Sequence, residues 1–217
     1  MSLGSFLRRR VQVVALASGL ALMSLALPLA DTLAQNDVQV QVLGQGVQAT
    51  AGGSNLVNPT TSVSTTVTLA ASEWTGGYYQ GNGAWYGRPW AALYGTQTQY
   101  STATVTIQLS STPTGPVTLT LTGLNDESGT KNPINITING TSIFNGTSWF
   151  ASWDGSGQGE NAPWTTVAIT IPASYFALGA NSIAVSNLTN SSNFSQPPYV
   201  LLGAAQINLP GASASVN

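Results

Sequence analysis

The chain has 217 residues, no cysteine, no histidine and a formal net charge of −2. Lacking histidine, it lacks the commonest general base and the commonest transition-metal ligand, which disfavours zinc, copper and haem chemistry and removes every serine–histidine arrangement. Lacking cysteine, it has no disulfide to staple the fold.

Arg8, Arg9 and Arg10 precede an apolar run from Val11 to Ala30, and Thr32-Leu33-Ala34 offers a small-residue cleavage site before Gln35. That order predicts a secretory signal peptide over residues 1–35, hence a secreted, extracellular or cell-surface product with no membrane segment after cleavage. Left uncleaved, an apolar run of about 20 residues is long enough to anchor the chain in a bilayer. Beyond it, two basic residues (Arg88, Lys131) face six acidic ones (Asp37, Glu73, Asp126, Glu127, Asp154, Glu160), a net charge near −4. Two cations make no electrostatic footprint, so nucleic acid and anionic lipid are rejected as partners.

Residues 36–62 read as an N-terminal strand and a flexible linker. Val38, Val40 and Val42 alternate with Gln39 and Gln41, and turn-rich text with Gly52, Gly53 and Pro59 comes next. A tether lifting the domain off a cell surface fits the same residues. The main domain is expected over 63–210. Its entry strand alternates Val63, Val67 and Leu69 with Ser and Thr.

The stretch Ser72–Tyr100 then holds eight of the chain's 18 Phe, Trp and Tyr residues, spaced by six glycines that interrupt any helical or alternating period. Such text predicts a loop that turns sharply while presenting flat rings. Ser101–Ser110 and Val117–Leu124 alternate cleanly around a Pro/Gly turn, so an antiparallel hairpin is expected. Pro133 opens a strand with Ile134, Ile136 and Ile138, and Asn139-Gly140 is the strongest hairpin signal in the chain. Strands are further predicted at 141–144, 164–171, 182–188 and 199–210, with one helical turn in Ala173–Asn181 and a disordered tail over 211–217. Many short strands, many Gly/Pro turns and no long helical period predict an all-β fold, an antiparallel β-sandwich or jelly roll.

Residues 115–210 resemble the galactose-binding-like jelly rolls, the architecture of many non-catalytic carbohydrate-binding modules. The resemblance is carried by GLNDESG, PINITING with TSIFNG, WTTVAITIP, LGANSIAVSN and PPYVLLGAAQINL in that order. It implies sugar binding through loops at one end or edge of the sandwich, and in several members a structural calcium.

Residue types agree with a glycan partner. A sugar's C–H face stacks on Trp or Tyr while amides and guanidinium bond its hydroxyls. Tyr79, Gln80, Asn82, Trp85, Tyr86, Arg88 and Trp90 supply both contacts, joined by Trp149 and Trp153 if these meet them in space. The competing reading has Trp74, Trp90 and Tyr94 filling the core and sealing its rim. Glu73, Asp126 and Glu127 are candidate oxygen ligands for calcium, which takes six to eight of them; no other cofactor is expected. Paired carboxylates from Asp126, Glu127, Asp154 and Glu160 could run glycoside hydrolysis, but a small domain with its acids in turns reads as a binder, not an enzyme. The six Asn-x-Ser/Thr triplets arise from composition alone.

Two functions stand side by side. One is a secreted, non-catalytic carbohydrate-binding sandwich. The other is a structural or adhesive surface subunit that self-associates by strand exchange through Val38–Val42.

Overall fold

The computed structural model describes residues 39–43, 64–83, 85–126, 130–153 and 162–216. The chain divides into two units, residues 1–35 and 36–217, and every described residue lies in the second. The signal peptide and most of the linker expected from the sequence therefore fall outside the described residues. Among the described residues no helix is long and apolar enough to cross a membrane.

In chain order the strands are β1 (Gln39–Leu43), β2 (Ser64–Leu69), β3 (Tyr78–Gln80), β4 (Trp90–Leu93), β5 (Thr102–Leu109), β6 (Val117–Asp126), β7 (Pro133–Ile138), β8 (Thr141–Thr147), β9 (Thr165–Ile171), β10 (Gly179–Asn187), β11 (Tyr199–Pro210) and β12 (Ala214–Val216). They form two antiparallel sheets packed as a β-sandwich, the all-β class the alternating text predicts. The larger sheet runs β1-β9-β6-β11, and the far side of β11 is shared end to end by β4, which leads on to β3, and by β2. The smaller sheet runs β12-β5-β10-β7-β8.

Period-2 alternation builds the core directly. Along β5, Ala103, Val105, Ile107 and Leu109 are buried while their neighbours are half-buried, and β7, β9 and β10 repeat the pattern. These residues meet Val117, Leu119 and Leu121 of β6 in one apolar cluster between the sheets. Asn139 and Gly140 both adopt positive φ (51° and 79°), the type I′ geometry that joins β7 to β8. Trp74 is buried in this core, and its indole N–H donates to the Gly203 carbonyl at 3.2 Å.

Three expectations are corrected. Val117–Leu124 does not hairpin onto Ser101–Ser110: β5 pairs with β10 and β12, whereas β6 pairs with β9 and β11. The Pro/Gly turn between them is a crossing from one sheet to the other, because both strands alternate and alternation cannot name a partner. The aromatic stretch is not all loop, since it contains β3 and β4. The tail, expected to fray, supplies β12 on the edge of β5. The expected helical turn is present, as a three-residue 3-10 turn, Ala173–Tyr175.

β11 is irregular at its centre. Between Leu202 and Ala205 its pairing with β6 shifts register. Before the shift, Val200 and Leu202 face the core; after it, Ala205, Ile207 and Leu209 do. Gly203 and Ala204 form a β-bulge that exchanges which set of alternate residues points outward.

The end of the sandwich beside β4 is closed by two loops laid together. Thr96 N–H donates to the Thr189 carbonyl (2.8 Å) and Gln97 N–H to the Ser191 carbonyl (3.1 Å). Asn187, fully buried, donates from Nδ2 to the Leu93 carbonyl at 3.0 Å and accepts from Thr189 N–H at 2.9 Å. Gly95 permits this approach: a Cβ there would lie 2.4 Å from the Ser191 carbonyl oxygen and 2.8 Å from that of Thr189. Both obstacles are backbone and cannot swing aside. Gly95→Ala is expected to cost about 2 kcal/mol and to lower the melting temperature by several degrees in a thermal unfolding scan, and an unchanged melting temperature would contradict the contact.

Candidate functional site

The larger sheet has a second apolar cluster, on the face turned away from the core. Alternation puts Tyr78 and Gln80 of β3, Trp90 and Ala92 of β4, Tyr199 and Leu201 of β11, and Leu124 of β6 on that face. Tyr78, Ala92, Leu201 and Leu124 stand directly opposite one another in a single cross-strand row. Buried Tyr86, Trp90 and Tyr94 complete the cluster, with Tyr100, Trp153 and Trp164 packed against it. Small Ala92 at the middle of the row leaves room for the rings that lie around it.

The loop between β3 and β4 folds over this floor. The Gly83 carbonyl accepts from Tyr86 N–H (3.3 Å) and Gly87 N–H (3.0 Å), and Gly83, Trp85 and Gly87 have φ of 68°, 73° and 72°. Glycine adopts that conformation freely, whereas a bulky aromatic residue is strained in it. Trp85 is nonetheless 57% exposed. Beside it Tyr86 is pinned from three directions. Its hydroxyl lies 2.6 Å from that of Tyr199, its carbonyl accepts from the Trp164 indole N–H at 2.9 Å, and its ring meets Trp90 edge-on at 89° and 5.5 Å. Arg88 caps the outer side, its guanidinium carbon 5.0 Å from the Trp164 ring, a cation–π contact.

A cavity of about 400 Å³ opens between this loop and the segment Ser195–Pro197. The rings of Tyr78, Trp85 and Trp90 help wall it, and Gln80, Ser195 and Gln196 bring amides and a hydroxyl; no described residue lining it carries a charge. Flat apolar faces with a few uncharged hydrogen-bonding groups suit a polyhydroxylated ring whose carbons are apolar.

Of the residues expected from the sequence, Gln80, Trp85, Tyr86 and Trp90 come together at this cavity. The three rings among them do not form one open, coplanar platform. Tyr86 and Trp90 are 4% and 5% exposed, and of the three only Trp85 is largely exposed. Asn82 and Arg88 belong to the same loop but lie outside the lining. Tyr79 alternates to the opposite face from Tyr78 and lays its ring against Gly81. Trp149 and Trp153 pack against different clusters: Trp149 lies on Phe144 (ring centroids 3.7 Å apart) beside the main core, Trp153 beside the aromatic face.

Sequence reasoning passed over Tyr199, Trp164 and the loop before β11. Phe194, alone and aromatic in a polar loop, was the available signal.

The calcium set does not assemble among the described residues. Glu73 caps the 3-10 turn Ala71–Glu73, its carboxylate accepting from Ala70 N–H. Asp126 ends β6, and Glu127 lies outside the described residues. No group of three or more His, Cys, Asp and Glu side chains is found among those described.

Strain at Trp85 has a measurable consequence. A left-handed non-glycine residue costs about 1–2 kcal/mol, so Trp85→Gly should be more stable than Trp85→Ala by about 1 kcal/mol, measured by denaturant unfolding. Equal stabilities would mean that Trp85 is not held in that conformation.

No protein-family model and no curated protein sequence matches the chain. Among solved structures, the chain is similar to the CBM35 module from Cellvibrio japonicus Abf62, at 15% identity and a TM-score of 0.47, over 70% of this chain and 98% of that one. It is also similar to the CBM36-1 domain of a multidomain xylanase from the hindgut metagenome of Trinervitermes trinervoides, at 15% identity and a TM-score of 0.40, over 66% and 96% of the two chains. A third is the carbohydrate-binding module CBM36 in complex with calcium and xylotriose, at 11% identity and a TM-score of 0.35, over 69% and 99%. At these identities and scores, function rests on the chain's own geometry.

Proposed function

We propose that the chain is an exported, non-catalytic module that binds a neutral glycan in the cavity beneath Trp85. The observation that carries this reading is a strained, exposed indole over a cavity whose other groups are rings and uncharged amides. A buried side chain rewards its fold by packing, but an exposed Trp held at positive φ does not. Strain kept at a surface position is a mark of functional sites. Binding without turnover is the reading that rings and uncharged amides suit, since such groups hold a sugar by stacking and hydrogen bonding. Export rests on the reading of residues 1–35, and calcium has no part in the site proposed.

Affinity electrophoresis against cellulose, xylan, mannan, galactan and starch derivatives tests the proposal. Retardation by at least one glycan is expected, with Trp85→Ala weakening it about tenfold, the equivalent of about 1.4 kcal/mol from one lost ring contact. Because no described residue lining the cavity carries a charge, the retardation should persist at about 1 M salt, where the Debye length is about 3 Å. Failure of every glycan to retard the wild-type chain would overturn the reading.

A second reading keeps one specific observation. β1 lies on the edge of the larger sheet, paired through five residues with β9. A neighbour's β1 could occupy that edge instead, giving the strand-exchanged surface subunit. Sizing the chain with and without residues 36–60 checks it: a loss of oligomer on truncation supports exchange, and a monomer in both forms excludes it.

A further inference from the structure

We infer that the hollow lined by Gln97, Gln99, Tyr100 and Phe194 is a second sugar subsite, so that the module takes an extended neutral glycan rather than a single ring. The inference rests on the glycan reading of the first cavity. This hollow measures about 290 Å³ and is completed by Thr98 and Ser192, again with no charged side chain among its described lining.

Its geometry ties it to the first cavity. Phe194 lies nearly flat on Tyr100 (27°, 5.5 Å), meets Tyr78 edge-on (88°, 5.3 Å) and touches Tyr94 at 5.1 Å. Tyr78 and Tyr94 line the first cavity; Tyr100 and Phe194 line the second. One aromatic wall thus separates two hollows on the same end of the sandwich.

Phe194 is also 48% exposed, though it sits on three rings. Those contacts fix its orientation while leaving much of it open, the same disposition as Trp85. The fixed ring is accompanied by amides. Gln97 Nε2 donates to Asn190 Oδ1 at 2.7 Å, which holds the side chain in place. An amide has two N–H donors and a carbonyl acceptor, so that bond does not exhaust it. Gln99 is exposed on the same loop. The loop's backbone is held by the Thr96–Thr189 and Gln97–Ser191 bonds, so the subsite is built before any ligand arrives.

Each hollow presents one exposed ring with uncharged hydrogen-bonding groups, and they share a wall one ring pair thick. A chain of sugars seated in the first would offer its next residues to the second at high effective concentration, and affinity would rise with chain length.

The test is a calorimetric titration of the chain with linear neutral xylo-, cello-, manno- and galacto-oligosaccharides, from one ring to about six. The wild type is expected to gain at least about tenfold in affinity between the short and long members of a series it binds. Gln97→Ala/Gln99→Ala should flatten that gain to about twofold while leaving short-ligand affinity unchanged. Phe194→Ala should also flatten the gain, and because its ring packs on Tyr78 and Tyr94 of the first cavity, the amide variant, whose residues do not line that cavity, is the one that reads the second subsite alone. Trp85→Ala should weaken every length. Binding by the wild type with no dependence on length, or a gain untouched by the amide variant, overturns the second subsite and leaves the first standing. No binding at any length by the wild type overturns the glycan reading and this inference with it.

Discussion

The bulge at Gly203–Ala204 is the constraint on which the rest depends. β11 pairs with three strands, β6 on one side and β4 and β2 on the other. Without an extra residue, alternation through Val200 and Leu202 would place Gln206 and Asn208 inside and Ile207 and Leu209 in solvent. A one-residue slip reverses every side chain after it. The bulge supplies the slip in the middle of the strand, and the Trp74 indole bonds the carbonyl of Gly203 within it.

The same irregularity divides the outer face. Before the bulge β11 turns Tyr199 and Leu201 outward, and rings gather on them. Past it Ala204, Gln206 and Asn208 face out beside Thr66 and Thr68 of β2 and Thr118, Thr120 and Thr122 of β6, a polar surface. Trp164 stands near the boundary, close to Gly203, and holds down the Tyr86 carbonyl. One end of the sheet thereby acquires an apolar floor that a solvated sheet face ordinarily lacks.

What is built on that floor is a set of buried rings that fix two exposed ones. Tyr86, Trp90 and Tyr94 are packed edge to face or tilted against their neighbours, contacts worth about 0.5–1.5 kcal/mol each beyond their burial. They hold still the loops that carry Trp85 and Phe194. Of the aromatic stretch, Trp74 packs in the main core, Tyr86, Trp90 and Tyr94 are buried in the outer cluster, and Trp85 is exposed beside them.

Alternation at Ala103–Leu109, Val117–Leu121 and Ile134–Ile138 is visible in the text because each strand has one wet and one dry face, so the strands and the sandwich class were legible. The Asn139-Gly140 turn was legible too, since its φ demands are local. β3 and β4 were hidden: Trp90-Ala-Ala-Leu93 is buried on both faces, so its pattern has no period to read. Likewise the gathering of aromatic residues in Ser72–Tyr100 pointed to the region of the candidate site but not to which rings are open. Partnership was the larger gap. That β5 and β6 belong to different sheets, that Tyr199 meets Tyr86, and that Phe194 comes to rest on Tyr78 are contacts between residues far apart in the chain. By itself the sequence determined the alternating strands, their dry faces and the tightest turn, because these depend on neighbours a few positions away. Only the tertiary structure decided the pairing, the bulge's exchange of faces and the exposure of Trp85 and Phe194, because each is set by atoms that the chain brings together only on folding.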